Sequence, residues 1–366
     1  MLNFEGVVNP LSFGYVSVGL LKQFRNNNVD FNFLPIGGNL DWGAFDKIDD
    51  NFKNYLNSSA QNFLKKFNIN DKCFKLWHIN DSWKKLSKKE NYLLTFHELD
   101  SLTDEEVNIL NSFDKVFVTS KFSKNVFEDF GVKCPVVYAP MGIDTEIFFN
   151  ANKPRPYKDI IVFSIFGKWE RKRKWTTKTI QAWISKYGND SKYKLHCYVS
   201  NPFFKPEQMN QVFAEIFNNQ QKPFNVDLFP YLPTNTHLNE AYNSTDIVID
   251  MGGGESISLP SLNCVGMGKH GVIHWNSGMK DWADENNAVL VKPNGKEPVY
   301  DGIFFHQGQV FNQGNIYSYN NDDFISGCEL AIKRFESNPI NEKGKELQNT
   351  YSFKIGADLI IKELHG

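Results

Sequence analysis

Short apolar runs, each bounded by turn residues and followed by a stretch of helical character, recur along this chain and constrain its fold more than any other feature. The clearest are DKVFVT at 114–119, PVVYAP at 135–140, IIVFSIF at 160–166, KLHCYVS at 194–200 and DIVID at 246–250. Their length and their β-branched and aromatic content are those of buried strands. Strands that alternate with helices build a mostly parallel sheet, because each helix packs back across its face. With 366 residues the chain is long enough for two such units with a core each. The proline-rich, polar stretch NANKPRPYK at 150–158 reads as the linker between them.

Charge and cysteine usage narrow the function classes. A formal net charge of -2 provides no global field for nucleic acid or an anionic membrane, so nucleic acid is not an expected partner. Five cysteines, odd in number and without a C-x-x-C pair, argue against a disulfide framework or a zinc site and for a reducing, cytoplasmic compartment. No secretory signal is read at the N-terminus, and no apolar run approaches the roughly 20 residues of a membrane helix. Lys84, Lys85, Lys88 and Lys89 stand beside Trp83 and Leu86, a surface suited to peripheral contact with anionic lipid headgroups. A solvated charged face is the commoner reading of such a run. Oligomeric state is not legible.

Three stretches carry chemistry. After the strand at 247–249 come Gly252, Gly253 and Gly254, where the chain can turn and let its backbone approach a ligand. Glu255 then stands among small residues, and Ser258-Leu259-Pro260 opens a helix whose free N–H groups make an anion site. A further strand follows at 271–273, giving the layout of a ligand site at a sheet's C-terminal edge. The second stretch, GKWERKRKW at 167–175, places Lys168, Lys172 and Arg173 between a buried strand and a helix. Cations there suit a diphosphate, against the readings of a solvated turn or a nucleic-acid patch with aromatics. Third, the strand at 93–96 closes on His97-Glu98-Leu99-Asp100. Two carboxylates one residue apart at a strand end are also how a divalent ion is held against a diphosphate.

The 246–273 stretch resembles the nucleotide-sugar site of the group 1 glycosyltransferases, the retaining, glycogen-synthase-like family 4 type with the GT-B fold. Their motif is a pair of glutamates with Leu-Pro between; Glu255, Leu259 and Pro260 match it, and Asn263 stands in place of the second glutamate. The run from DKVFVTSKFSKNVF through MGIDTEIFF is similar to the end of the family's first domain. The resemblance implies an α/β GT-B fold: two Rossmann-like domains with parallel sheets facing a central cleft. It places the acceptor domain at 1–150, the nucleotide-sugar domain at 151–350, and a C-terminal helix at 351–366 crossing back to the first domain.

What it implies about activity is a metal-independent hexosyltransferase. A sugar would pass, with retention, from a UDP- or GDP-linked donor to a hydroxyl of a glycan or lipid-linked glycan, with no cofactor. Glu255 would orient the sugar, Lys168 and Arg173 (or Lys172) would grip the diphosphate, and His97 or Glu98 would face the acceptor. Gly14, Tyr231, Gly254, Ser256, Ile257, Ser258, Leu259, Asn263 and His274 complete the expected donor contacts. Two departures, Asn263 and Lys174 where the family carries glycine, keep open a non-catalytic nucleotide-sugar or glycan binder. A nucleotide-sugar epimerase is a further alternative. Residues 296–319 match nothing in the family and follow no regular period.

Overall fold

Phe4 lies in register with Phe33 on one neighbouring strand and Phe74 on the other, with ring centroids 6.0 and 5.4 Å away. This aromatic layer marks the centre of the first of two six-stranded sheets in the computed structural model, which describes residues 1–152 and 154–365. Lys153, in the expected linker, and Gly366, in the expected terminal segment, lie outside the described residues.

The first half runs β1 (Leu2–Val8), α1 (Ser12–Asn26), β2 (Phe31–Leu40), α2 (Asp50–Gln61), α3 (Phe63–Lys66), β3 (Lys72–Leu76) and β4 (Asn91–Thr95). It continues with α4 (Asp104–Asn111), β5 (Lys115–Val118), α5 (Lys121–Asp129) and β6 (Val136–Tyr138). Sheet order is β2-β1-β3-β4-β5-β6, and every pair is parallel. Local chemistry sets the helix starts. Thr103 and Glu106 form a reciprocal capping box on α4, and Ser120 caps α5.

The second half comprises β7 (Ile161–Phe166), α6 (Thr176–Tyr187), β8 (Tyr193–Tyr198), α7 (Pro206–Ile216), β9 (Val226–Leu228), α8 (Asn235–Asn243) and β10 (Ile247–Asp250). Then follow α9 (Leu259–Gly266), β11 (His270–His274), β12 (Val289–Val291), β13 (Gly295–Pro298), β14 (Asn315–Ser318), α10 (Asn321–Ser337), α11 (Glu342–Lys345), α12 (Gln348–Tyr351) and α13 (Phe353–His365). Its parallel sheet has the order β12-β11-β10-β7-β8-β9. Strand order reverses between β7 and β10, and in the first sheet between β1 and β3. Crevices at the C-terminal ends of strands open at such points.

One apolar core is shared across the halves. Tyr15 packs on Phe148, which packs in turn on Tyr242 of α8, and α13 lays Phe353 against Tyr15. At Gly19 of α1 the approach of α13 is close: an added Cβ would come within 2.7 Å of the Phe353 ring. Lys115 pairs with Glu363 at 2.7 Å, fixing the far end of α13 to β5.

Asn62 separates α2 from α3, and α11 and α12 are single turns. The segment at 296–319, expected to be irregular, is built on the antiparallel hairpin β13–β14. Its strands, GKEP and NIYS, are too short and polar to show a period. The lysine run after Ile79–Asp81 has no regular secondary structure, and Trp83 within it is 70% exposed. No helix among the described residues is long and apolar enough to cross a membrane.

Candidate functional site

Between the two sheets lies a cavity of about 550 Å³, lined from both halves. From the second half come the loops after β7, β8, β9 and β10; from the first, the loops after β1, β3 and β4. Both topological switch points therefore open into one cleft.

At its centre is a network of charged side chains. Arg173, 4% exposed, directs Nε and Nη2 at the two carboxylate oxygens of Glu170, each at 2.8 Å. Its Nη1 donates to the Gly254 carbonyl at 2.9 Å and Glu255 Oε1 at 3.2 Å, and lies 3.0 Å from Glu98 Oε1 of the other half. Lys174 pairs with the same oxygen of Glu255, and Lys168 with Glu170 at 3.2 Å. Burial opposes the Arg173 charge, but Glu170, Glu98 and Glu255 together hold it above the usual range. For Glu170, burial acts upward, yet Arg173 together with Lys168 and Lys174 outweighs it and draws the carboxyl down to about 2. Lys174 is likewise raised, against burial, by Glu255. Glu98 moves the other way: burial, with Glu255 and Glu170 as like charges, raises it despite Arg173.

Backbone conformation brings Glu255 to this position. Its N–H donates to Ser277 Oγ, and its carbonyl accepts from Gly278. A Cβ at Gly253 would meet the Tyr317 carbonyl at 2.5 Å, and one at Gly254 the Glu98 carbonyl at 2.4 Å. The glycine run thus permits close approach of two flanking backbones. Ser258 precedes α9 in the left-handed region (φ 55°), with its hydroxyl on Asp250. Ser256 Oγ meets Thr119 Oγ1 at 2.8 Å, a direct bond between the halves.

Of the expected residues, Glu255, Lys168, Arg173, His97, Glu98, Tyr231, Ser256, Ile257, Ser258, Leu259 and Asn263 all line the cavity. Four others do not. Lys172 turns outward to Glu297 (3.5 Å) and the Pro298 carbonyl (3.0 Å). His274 is buried behind the glycine run, where Nδ1 contacts the Gly252 carbonyl at 3.0 Å and burial lowers its pKa to about 4. Gly14 sits inside α1, where an added Cβ would come within 2.0 Å of the Asn9 carbonyl, so it seats the loop after β1. Gly254 reaches the site through its carbonyl on Arg173. The sequence reading missed Lys174, set down there as a lost glycine, and Glu170. The i, i+3 spacing of Glu170 and Arg173 was the available signal.

His97 is buried with Nε2 unpartnered among the described residues, and burial depresses its pKa to about 4, leaving a neutral imidazole at the cavity wall. Glu98 and Asp100 do not converge as a metal-holding pair would. While Glu98 meets Arg173, Asp100 pairs with Lys296 at 2.8 Å and accepts from the Asn315 N–H at 2.7 Å. Asn263 donates through Nδ2 to the carbonyls of Gly142 (3.0 Å) and Leu259 (2.8 Å). Its Oδ1 is buried without a protein partner, leaving one acceptor unused.

No family model and no curated protein sequence matches this chain. Solved structures do. A glycosyltransferase from Rickettsia africae superposes with a TM-score of 0.69 at 13% identity, over 99% of this chain and 97% of that one. A sucrose-phosphate synthase from Thermosynechococcus elongatus gives 0.67 at 11%, over 100% and 98%. HepE from Anabaena, solved with UDP and glucose, gives 0.65 at 10%, over 100% and 99%. At these identities the likeness is one of fold: this chain has the two-domain α/β GT-B architecture.

Proposed function

We propose that this protein transfers a sugar from a nucleoside diphosphate sugar, UDP- or GDP-linked, to an acceptor hydroxyl on a glycan or lipid-linked glycan. The observation that carries the reading is Glu255, held between Arg173 and Lys174 at the C-terminal end of β10 and facing His97 and Glu98 across the cleft. A carboxylate fixed in this way hydrogen-bonds sugar hydroxyls and sets the anomeric carbon for reaction. Lys168 and Lys174 approach from the β7 loop, and backbone N–H groups at 256–259 precede the first turn of α9. Together they meet the charge that grows on a departing diphosphate, a role in which no metal is required. Arg173, its donors taken by protein acceptors, orients Glu255 and Glu98 instead of gripping phosphate.

In the donor half, the free Oδ1 of Asn263 is an acceptor for a ribose hydroxyl. Tyr231 and Leu232 border the same cavity and would flank the base. The neutral His97, its buried Nε2 unpaired beside the cavity, suits the acceptor hydroxyl or the donor sugar. Retention of anomeric configuration follows if the acceptor attacks from the face the diphosphate leaves. The five free cysteines suit a reducing compartment such as the cytoplasm, and exposed Trp83 with its lysines suits peripheral contact with anionic lipid.

The test is release of UDP or GDP from a panel of nucleotide sugars, with EDTA present, alongside thermal shift. Release that Glu255→Gln lowers about 10²–10³-fold supports the reading. Stabilisation by nucleotide sugars with no release under any acceptor would make the protein a binder. Release only with Mn²⁺ or Mg²⁺ would overturn the metal-free account.

A further inference from the structure

The segment between β13 and β14, residues 299–314, is long for a loop without regular structure, and such loops are usually functional. It is internally braced. Asp301, buried, accepts through Oδ1 from the N–H groups of Ile303 (2.8 Å), Phe304 (2.8 Å) and Phe305 (3.0 Å). Gln313 accepts from the Gly308 N–H at 3.0 Å and donates to the His306 and Phe311 carbonyls, each at 3.0 Å. The strap is also fastened to the opposite half. Ser101 Oγ donates to the Gln313 carbonyl at 2.6 Å, Thr103 Oγ1 to that of Val310 at 2.7 Å, and the Asn312 N–H to Glu106 Oε1 at 3.0 Å.

This crossing closes one flank of the cleft and brings new rings to its wall. Phe304 lines the cavity, stacked on Phe204 with centroids 6.3 Å apart and planes 7° from parallel. Lys168 Nζ lies 4.8 Å from the Phe304 centroid and 5.2 Å from that of Phe203. From the first half, Phe13 adds its ring at the same cavity, 4.3 Å from His78 and 4.6 Å from Phe96. Aromatic faces carry negative charge density, and the C–H face of a sugar ring packs on them, while the hydroxyls at its edge find polar partners.

We propose that residues 299–314 form the acceptor wall and make that end of the cleft a pocket for one terminal sugar ring, stacked on Phe304, in place of an open groove for the interior of a chain. This rests on the reading of the cleft as a sugar-transfer site and names its acceptor class. Asp301 is the positioning residue, since its carboxylate fixes the backbone that presents Phe304.

The experiment is saturation-transfer NMR on the full chain with UDP or GDP present, using methyl glycosides of glucose, galactose, mannose and N-acetylglucosamine, and α-cyclodextrin as a sugar with no terminal ring. At least one methyl glycoside should bind and the cyclodextrin should not. Phe304→Ala should weaken that binding about tenfold, Phe304→Tyr should retain it, and Asp301→Ala should resemble Phe304→Ala. Leu64→Ser, on a side chain 87% exposed and outside both the strap and the cavity lining, should bind as the wild type. Thermal melts separate unfolding from loss of the ring contact. The pocket is overturned if no methyl glycoside binds, if Phe304→Ala binds as the parent does, or if cyclodextrin binds equally well. Glycoside binding without nucleotide release from any donor would sink the transferase reading and leave the pocket standing; release without glycoside binding would do the reverse.

Discussion

Arg173 Nη1 lies 3.2 Å from Glu255 Oε1, while the other edge of the same guanidinium is clamped by Glu170. A rigid planar fork is needed to hold three carboxylates and a carbonyl at once, and lysine cannot supply it. The consequence is a division of labour along the seven residues 168–174 of one loop: Arg173 builds the site, whereas Lys168 and Lys174 are its cleft-facing ammonium groups.

Arg173→Met should therefore act on stability first. It would leave Glu170, 1% exposed, without its main partner, and breaking such a buried pair costs about 3–5 kcal/mol. Urea unfolding measures this. A loss under 1 kcal/mol would mean that the pair is not structurally important.

Glu255→Gln keeps size and hydrogen-bonding capacity but removes the charge between Arg173 and Lys174. Turnover should fall about 10²–10³-fold, in line with the loss of one positioned polar group, with the circular dichroism spectrum unchanged. Near-normal turnover would remove Glu255 from the mechanism.

Lys174→Ala and Lys172→Ala form a matched pair. The first should weaken UDP binding about tenfold or more, since it removes a cation that faces the cleft. The second should leave binding as it was, because Lys172 faces Glu297 and Pro298. Isothermal titration distinguishes them, and equal effects would contradict the assignment.

Asn263→Glu introduces the second glutamate of the motif that the sequence resembles, yet it should destabilise the protein by about 1–3 kcal/mol. The Gly142 and Leu259 carbonyls would lose their donor and face a carboxylate. Denaturant midpoints of the two proteins decide the matter; an unchanged or raised midpoint would show the site accepts either residue.

Buried His274 has its pKa lowered to about 4, so below the ordinary histidine range near pH 6.5 the unfolded chain takes up a proton that the folded chain refuses. Its contribution to stability is intact above pH 6.5 and falls as pH drops toward 4, by up to about 1.4 kcal/mol per pH unit. His274→Gln should lose less stability than the parent between pH 6.5 and 4 in paired thermal melts. Parallel losses would show that His274 does not titrate on unfolding.

What the residues determine by themselves is largely local. The apolar runs at 116–118, 161–166 and 247–249 appear as β5, β7 and β10, because a β-branched run bounded by turns has few other ways to bury itself. Ser120 and Ser258 mark the starts of α5 and α9, and the glycine run before Glu255 falls where backbones close in. From these the two parallel sheets, and Glu255 at the end of β10, were legible.

Only the tertiary structure decided which cation faces the cleft. Lys168, Lys172, Arg173 and Lys174 are near-equivalent in a linear reading. Their fates depend on Glu98, Glu255 and Glu297, which are distant in sequence. The same holds for Asn263, whose amide answers the Gly142 carbonyl of the other half, and for the strap at 299–314. That strap has no periodicity of its own and takes its shape from Asp301 and from bonds to Ser101, Thr103 and Glu106. Local pattern encodes what a segment buries; the partners of a polar group are set by which loops the sheets bring together.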